Sequence, residues 1–399
     1  MTIKVNGVNR IPFVSAPAVS LRVAEKTPSF IQDSIQLPPF QKTLNQVTAY
    51  VDSKEIFPAM EELLKTAKER IQMDYYILSG EEGWRIANIL AQKIEEGVRV
   101  QLFYNFEMGT IPKISKSMNE ILHFLHQKGV ETFPFPIKHL PNASFPKPID
   151  HNKLIVVDGQ QAMVGGMNVA DDFANNHDVM LKVVGPAARD LSLFFSYDWS
   201  FRPFPDAPPT SDQSLVQIVR TGIGQQNTRE VVTQHVKNAK NRIWLEMFWL
   251  SDKRILEELI KRGKDKNLDI RILLDPGRNG DLVPVINWAP QGFPNLYPAY
   301  ELQKAGIPAR WYVLKQGQVH MHTKMSLFDN TLIVGSTNWT KRSFDNNGET
   351  SLEIEGGSAF KKLSEMFEKD WEERSAPIDL KWYQKGMAYI IKWGISPFI

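Results

Sequence analysis

The strongest constraint on the fold is that much of the sequence occurs twice. Four blocks recur downstream at a nearly constant offset of 170 to 172 positions. The paired blocks are 67–77 with 239–249, 151–158 with 322–329, 164–168 with 334–338, and 198–199 with 370–371. A repeat of this length indicates a domain duplication and not a solenoid, because each copy is long enough to build its own sheet and helices.

Each copy contains alternating strand and helix patterns. Short segments rich in branched and aromatic residues predict buried strands, and apolar residues at helical spacing predict helices. Predicted strands are 70–77, 98–104, 154–157, 162–164 and 179–184, and predicted helices are 57–68, 84–96, 116–128, 189–199, 228–241, 254–262 and 360–374. We predict an α/β protein of two duplicated α/β/α sandwich halves, related by a pseudo-two-fold axis with the active site between them.

A connector separates the two copies. Residues 201–212 are polar and rich in proline, as linkers often are. Residues 1–45 contain several prolines and no clear period, so we expect an N-terminal extension packed on the first half. The predicted halves are then residues 46–208 and 209–399.

Composition excludes several classes of protein. The 399 residues are 42% hydrophobic and 23% charged, which is typical of a globular protein, and the formal charge of +2 gives no basic excess that would favour nucleic acid. The chain has no cysteine, which removes disulfides, thiolate metal sites and cysteine nucleophiles. We see no signal peptide and no apolar run long enough to span a bilayer, so we expect a cytoplasmic or peripheral membrane protein.

A histidine two residues before a lysine occurs in both copies, at His151/Lys153 and His322/Lys324. Residues two apart on a strand face the same side, so each pair presents an imidazole and an ammonium together. One such pair would be weak evidence. Two pairs at matching places predict one catalytic cleft shared by the halves.

A glycine-containing step ending in asparagine follows each pair, at Asn168 and Asn338. Glycine lets a bound anion approach the backbone, and an asparagine amide can donate to its oxygens. We predict that these asparagines bind phosphate together with the lysines. Gly166 and Ser336, within the same steps, are candidate substrate contacts.

These strings resemble the signature of the phospholipase D superfamily, His-x-Lys-x-x-x-x-Asp followed by Gly-Gly-x-Asn or Gly-Ser-x-Asn. Segments 150–159 and 165–173 are especially similar to bacterial cardiolipin synthases, and segment 342–349 resembles the family's Arg-Ser segment and closing Asn-x-Glu. The resemblance covers residues 55–375. It implies a phosphodiesterase or phosphatidyltransferase that acts on glycerophospholipids, by head-group hydrolysis or transfer to an alcohol, without a metal or cofactor.

Phosphodiester cleavage needs a nucleophile, a proton donor and groups that hold the anionic oxygens. One imidazole can form a phosphohistidine while the other protonates the leaving group and later deprotonates the acceptor. The resemblance implies that the first motif supplies the nucleophile, so His151 attacks and His322 is the general acid and base. By position, Asp178 and Glu349 are predicted to orient the histidines.

Four further residues in or near the motifs are candidates for structural or supporting roles. Asp158 and Asp329 each end a predicted strand beside a turn, so we predict structural roles. His177 is predicted to line or flank the cleft, with substrate contact as the alternative. His320 lies two residues before His322 and is a candidate for supporting the site or for contacting substrate.

Three functions remain open at this stage: a lipid enzyme, a nuclease of the same superfamily, or an inactive scaffold. The intact histidines, lysines and asparagines disfavour the scaffold, and the near-neutral charge disfavours the nuclease. Expected partners are a phospholipid, a water or alcohol acceptor and the membrane surface, while the oligomeric state is open. The aromatic, lysine-containing segment 382–398 indicates either a membrane interface or a helix docked on the core.

Overall fold

A computed structural model describes residues 40–105, 112–134, 148–195, 212–222, 225–277 and 291–395. Most of the predicted extension 1–45 and of the connector 201–212 lies outside these residues. The first strand begins at Thr43, so the last residues of the predicted extension already belong to the sheet. None of the described helices is both long and apolar enough to cross a bilayer.

The first half contains seven strands and four helices within the described ranges. They are β1 (Thr43–Val51), α1 (Asp52–Lys65), β2 (Arg70–Tyr75), α2 (Gly80–Glu95), β3 (Arg99–Tyr104), α3 (Pro112–Gln127), β4 (Glu131–Pro134), β5 (Lys153–Val157), β6 (Gln161–Gly165), β7 (Val179–Val184) and α4 (Pro186–Leu193).

The second half repeats this order with additions at its C-terminal end. Its elements are β8 (Ser214–Gly222), β9 (Gln225–Gln226), α5 (Thr228–Asn238), β10 (Arg242–Met247), α6 (Lys253–Arg262), β11 (Asp269–Leu274), α7 (Leu296–Lys304), β12 (Ala309–Tyr312), β13 (Lys324–Phe328), β14 (Thr331–Gly335), α8 (Lys341–Asp345), β15 (Glu349–Glu355), α9 (Gly357–Glu373), β16 (Ser375–Pro377) and α10 (Trp382–Ile390). A π-helical turn, Ile391–Ile395, follows α10.

All of the predicted strands and helices have counterparts, with ends that differ by a few residues. The predicted helix 189–199 is α4, which starts three residues earlier and ends at Leu193; positions 196–199 lie outside the described residues. The sequence did not predict β1 and β8, although they occupy the centre of the sheet.

All the described strands form one sheet. Its order is β16-β12-β11-β10-β13-β14-β15-β8-β1-β7-β6-β5-β2-β3-β4, with β9 beside β8. Outward from the antiparallel pair β1 and β8, one side runs β7, β6, β5, β2, β3, β4 and the other runs β15, β14, β13, β10, β11, β12. Apart from β9 and the edge strand β16, each described strand therefore has an equivalent at the mirrored position in the order, which confirms the predicted duplicated α/β halves.

Helices cover both faces of this sheet. On one face, α4 and α9 pack on a core that runs through both halves, with Leu191 and Leu363 among its buried members. On the other face, α1, α2 and α3 cover the first half over one core, and α5, α6, α7 and α10 cover the second over another. The shared core holds the two halves in a fixed relation, since interiors of this kind are close-packed.

The aspartates that close the two motifs act on the backbone. Asp158 has a φ of 51°, and its carboxylate accepts the backbone N–H groups of residues 68–70 at 2.7–2.9 Å. Asp329 has a φ of 49° and accepts those of residues 240–242 at 2.7–3.1 Å. Partial burial raises the pKa of Asp329, but these donors outweigh it and lower the pKa below its usual value. Each aspartate thus joins the strand of its motif to the start of the neighbouring strand.

Replacing Asp158 with alanine should destabilise the protein without touching the histidines. The variant leaves three backbone N–H groups without their acceptor and keeps a positive φ without a local hydrogen bond, so we expect a loss of about 2–4 kcal/mol in the free energy of unfolding. Urea denaturation measures it. Asp158→Asn should lose less because it keeps one oxygen, and Asp172→Ala, at an exposed site, should stay within about 0.5 kcal/mol of the parent. Equal stability of Asp158→Ala and the parent would contradict the structural role.

Candidate active site

The two His-x-Lys pairs lie at the starts of β5 and β13, which are equivalent strands of the two halves. All four side chains are buried, with 8% exposure for His151 and less for the others. Each lysine donates to the backbone carbonyl of its own histidine, Lys153 to His151 at 2.6 Å and Lys324 to His322. This contact holds each ammonium beside its imidazole, as the spacing in the sequence predicts.

Each histidine binds a carboxylate that comes from the other half. Nδ1 of His151 is 3.1 Å from Oε2 of Glu349, and Nδ1 of His322 is 2.7 Å from Oδ2 of Asp178. Donation of the Nδ1 proton to a carboxylate leaves the Nε2 lone pair for chemistry and orients the ring. The sequence pointed to both carboxylates, but nothing in it showed that the pairings cross between the halves.

Backbone hydrogen bonds explain the crossing. The amide of His151 donates to the carbonyl of Gly348 at 2.8 Å, and the amide of His322 donates to the carbonyl of His177 at 2.7 Å. The residue after each of these carbonyls is the carboxylate in question. Each motif is therefore docked against the segment of the other half that supplies its carboxylate, and neither half contains a complete site.

Gly166 and Ser336, which were predicted to contact substrate, help to position these two carboxylates. A β-carbon on Gly166 would lie 2.3 Å from Oδ1 of Asp178, so the glycine makes room for that carboxylate. The Ser336 hydroxyl donates to Oε2 of Glu349 at 2.6 Å and accepts the amide of Thr350 at 3.1 Å. Both positions therefore help to hold the carboxylates, and the substrate contacts predicted for Gly166 and Ser336 remain predictions.

The predicted phosphate-binding asparagines lie just beyond equivalent strands, Asn168 after β6 and Asn338 after β14. Their side chains are 1% and 5% exposed, and within the described part of the chain neither Oδ1 has a hydrogen-bond partner. An asparagine amide can turn to present either its oxygen or its NH2 group. Both amides are therefore available to donate to a phosphate oxygen, a role that remains a prediction.

Two aromatic rings that are not part of the His-x-Lys motifs lie against the lysines. The Nζ atoms of Lys153 and Lys324 are each 4.9 Å from a ring centroid, that of Tyr76 and that of Phe248 respectively. The same rings contact the histidines, with centroids 5.0 Å apart for Tyr76 and His151. Both aromatics belong to the repeated block 67–77 and 239–249, so the duplication carried the signal. They stabilise the ammonium groups by cation–π contact and exclude water.

His320 lies beside the second motif, where Asp275 holds the local backbone. Its Nδ1 is 3.3 Å from Oδ1 of Asp275, whose other oxygen accepts the amide of Met321 at 2.7 Å. The ring also meets Phe248 edge to face, with centroids 5.5 Å apart. These contacts place His320 next to the aromatic wall of the site, and its role there remains a prediction.

The prediction that His177 lines or flanks the cleft stays a prediction, but its ring faces away from the reactive histidines. Its side chain is 2% exposed, and its ring lies among Asp52, Glu246 and Asp370. Asp178, the next residue, faces His322; successive side chains of an extended segment point in opposite directions, so His177 points away from the reactive rings.

Burial dominates the electrostatics of the four motif side chains. It lowers the pKa of His151 to about 4, against the opposing effect of Glu349, and it lowers the pKa of His322 well below the usual value, with further lowering by both lysines. It also lowers the pKa of Lys153 to about 7 and that of Lys324 to about 8. At neutral pH both imidazoles are therefore uncharged, as a nucleophile requires.

Asp178 has the opposite shift. Burial raises its pKa to about 7, although Lys324 opposes the change. Together with His322 it can therefore hold an exchangeable proton near neutral pH. A phosphodiester entering the site would bring a negative charge among these groups and favour their protonated forms.

Comparison with known proteins gives two family matches, one in each half of the chain. The family described as "Cardiolipin synthase, PLD-like domain" matches the chain twice, over residues 60–199 and 232–371. A cardiolipin synthase of Halalkalibacterium halodurans is 30% identical over 323 residues, which is 75% of this chain but 61% of the relative. A cardiolipin synthase of Geobacillus thermodenitrificans is 28% identical, covering 93% of this chain and 78% of the relative.

Among solved structures, a phosphatidylserine synthase of Haemophilus influenzae has the same fold, with a TM-score of 0.64 and 13% identity over 87% of this chain and 92% of its own. A duplicated α/β fold with two paired His-x-Lys motifs defines a phospholipase D-like protein. The two matched segments make up most of the chain, which therefore belongs to the family of cardiolipin synthases with phospholipase D-like domains. The predicted superfamily and fold are confirmed.

The lysine pKa values predict how anion binding depends on pH. A protonated lysine attracts a tetrahedral anion and a neutral one does not, so affinity should be full below pH 7 and fall as pH rises through the values of about 7 and 8. Above that range we expect at least about a tenfold loss per pH unit. Titration with tungstate, kept dilute enough to remain a monomeric dianion from pH 6 to 9, measures it.

Two substitutions control this experiment. Lys324→Met should weaken tungstate binding and reduce the slope of the pH dependence, because one titrating cation is removed. Lys182→Met, on β7 outside the site, should change neither quantity. A constant affinity up to pH 9 in the parent would show that these lysines do not bind the anion in charged form.

Proposed function

We propose that this protein transfers the phosphatidyl group of a glycerophospholipid to an alcohol through a covalent phosphohistidine on His151. The observation that carries the proposal is the composite site, in which each neutral histidine is anchored by a carboxylate and lies beside a lysine. Relatives named cardiolipin synthase support phosphatidylglycerol as both donor and acceptor. The products are then cardiolipin and glycerol.

In the first step, Nε2 of His151 attacks phosphorus and the bond from phosphorus to the glycerol oxygen breaks. His322, protonated once the anionic phosphodiester has entered the site, delivers that proton to the departing oxygen, so glycerol leaves as a neutral alcohol. Glu349 stabilises the positive charge that develops on the His151 ring, because it already accepts the Nδ1 proton. The lysines and asparagines hold the two non-bridging oxygens.

In the second step, the acceptor hydroxyl gives its proton to His322 while its oxygen attacks phosphorus. The bond to His151 breaks and the nucleophile is restored. One phosphodiester replaces another, so the exchange needs no external energy source. The raised pKa of Asp178 supports the acid and base duty of His322, because the pair can hold and release one proton near pH 7.

Burial favours transfer over hydrolysis. The motif side chains are nearly inaccessible, and Phe173 and Phe248 lie 6.0 Å and 4.7 Å from the His322 ring by centroid distance. Water reaches such a site sparsely, whereas an acyl-linked alcohol can be delivered by its own apolar contacts. A lipid acceptor is thus favoured by the same surroundings that keep the histidines uncharged.

We also propose that α10 contacts the membrane surface. Its inner face docks on the core through Ala388 and the following Ile391, which are 1% and 0% exposed. Its outer face leaves Trp382 84%, Trp393 71% and Ile390 58% exposed. The two interpretations of this segment are therefore compatible, since one face packs and the other presents aromatic residues among lysines, a composition suited to the lipid interface.

The transfer reaction is tested with purified full-length protein and phosphatidylglycerol vesicles. We expect cardiolipin and glycerol to form in equal amounts. His151→Ala should lose at least about a thousandfold in rate, because no other nucleophile is in place. His235→Ala, a histidine outside the site that pairs with Glu353 at 3.2 Å, is the matched control and should keep its activity.

Alternative products separate the competing functions. Phosphatidic acid without cardiolipin would show hydrolysis and contradict transfer. Plasmid DNA is assayed in parallel, and cleavage of DNA with untouched lipid would show a nuclease. Full activity of His151→Ala would contradict the assigned nucleophile in every case.

The membrane contact is tested by vesicle sedimentation. The double variant Trp382→Ala/Trp393→Ala should bind anionic vesicles about tenfold more weakly, since two exposed rings no longer enter the interface. Its activity on detergent-dispersed lipid should be unchanged. Val313→Ala, which alters another exposed apolar residue, is the control. Equal sedimentation of the double variant and the parent would show that the helix does not bind the membrane.

A further inference from the structure

A buried cluster of ligand atoms lies apart from the reactive histidines. It contains His177 just before β7, Glu246 on β10 and Asp370 on α9. One ligand atom from each residue lies within 4.8 Å of the others, and the residues are 2%, 0% and 3% exposed. The cluster therefore brings together both halves of the molecule at a point without solvent access.

The ligand atoms converge without hydrogen bonding to each other. Nε2 of His177 is 3.1 Å from Oε1 of Glu246 and also 3.1 Å from Oδ2 of Asp370. Within the described residues, neither contact has hydrogen-bond geometry, and both oxygens of Glu246 are likewise unpaired. Buried polar atoms are rarely left in this state, and here four of them surround one position.

A fourth residue fixes the histidine tautomer. Nδ1 of His177 is 2.8 Å from Oδ1 of Asp52, so it carries the proton and donates it to that carboxylate. The ring is held by stacking on Tyr312, with centroids 5.1 Å apart and an angle of 11° between planes. A metal-binding histidine usually donates its other N–H to a carboxylate in this way. The Nε2 lone pair is then directed at two carboxylates, which calls for a cation between them.

The equivalent position in the first half balances its carboxylates differently. Asp74, 172 residues before Glu246, lies close to Asp150, and the Asn152 side chain donates to them at 3.0 Å and 2.8 Å. Arg220 supplies positive charge that lowers the pKa of Asp74 against the dominant effect of burial. There the protein's own amide and guanidinium compensate the carboxylates in part, with Oδ1 of Asp74 and Oδ2 of Asp150 unpaired among the described residues, whereas the second cluster offers a histidine lone pair.

We propose that His177, Glu246 and Asp370 bind one divalent transition-metal ion of the zinc class. Imidazole nitrogen with carboxylate oxygens suits such ions, and zinc bonds to them are about 2.0–2.2 Å long. Ligand atoms of a tetrahedral shell with those bonds are about 3.3 Å apart, close to the 3.1 Å separations found here. The ion would be structural. It joins the halves and fixes the residue preceding Asp178, which orients His322.

A proton on Nε2 of His177 is the competing arrangement. The neighbouring carboxylates hold the pKa of His177 well above its usual value despite the opposing effect of burial. A proton, however, would be expected to point along the N–H bond toward one acceptor, and Nε2 is equally distant from two carboxylates. A metal ion accounts both for the two equal separations and for the unpaired oxygens of Glu246.

The test measures metal directly and does not depend on turnover. Untagged full-length protein is stripped with a strong chelator, supplied with Zn²⁺, desalted and analysed by mass spectrometry for metal. We expect about one ion per chain and a higher thermal midpoint than in the stripped protein. Co²⁺ in place of Zn²⁺ should give the intense visible absorption of a four-coordinate site.

Variants locate the ion. His177→Gln and Glu246→Gln should each lower the zinc content at least about tenfold and abolish the midpoint shift. His235→Gln, which alters a partly exposed histidine that pairs with the buried Glu353, should retain full zinc content. If a cluster variant does not fold, the parent's stoichiometry and cobalt spectrum still decide.

Two results would overturn the proposal. One is a parent protein that takes up no zinc and shows no midpoint shift, which would leave a proton as the occupant. The other is unchanged zinc content in folded His177→Gln, which would put the ion elsewhere. The phosphatidyl transfer proposal is unaffected by either, because its assay follows lipid products.

Discussion

The exchange of carboxylates between the halves is the interaction on which the rest depends. An imidazole acts as a nucleophile or proton carrier only when its other nitrogen is held, and each ring is held from across the interface. The continuous sheet and the core shared by α4 and α9 keep those partners within hydrogen-bond reach. Folding of the whole duplicated unit is therefore a condition for either histidine to react, and the two halves form one catalytic unit.

Charge is the second constraint. Two lysines and two histidines lie buried around a small volume, and burial disfavours the charged form of each. An anionic phosphodiester supplies the compensating charge and thereby completes the site. The same electrostatics suits any phosphodiester, so the proposed selectivity for lipid has to come from surfaces around the site. The aromatic walls and the exposed face of α10 are the parts of the described structure that fit an acyl-linked substrate.

Much of this arrangement could be predicted from the sequence because the duplication left matched blocks. The repeat gave the two halves, the paired motifs and, in an equivalent block, the unnoticed rings of Tyr76 and Phe248. Matching blocks show which residues are equivalent in the two halves, but not which loop packs against which motif. The pairing of each histidine with a carboxylate of the other half was therefore not predictable. The direction of the His177 side chain follows from alternation along an extended segment, which turns it away from that of Asp178. Among the partners of His177, Glu246 and Asp370 fall in repeated blocks and Asp52 does not, and no sequence pattern connects the three with one another.

Within the sheet, the two halves meet where β1 pairs with β8, a short contact at the centre that is here called the seam. There β1 and β8 share only the register Thr43–Val216, Leu44–Leu215 and Asn45–Ser214. A slip of two residues, the smallest that keeps the same faces buried, would displace one half by about 6.6 Å. A displacement of this size would break both histidine–carboxylate hydrogen bonds. The register of β1 on β8 therefore sets whether the two imidazoles can reach one phosphate. These two strands lie far along the chain from either motif.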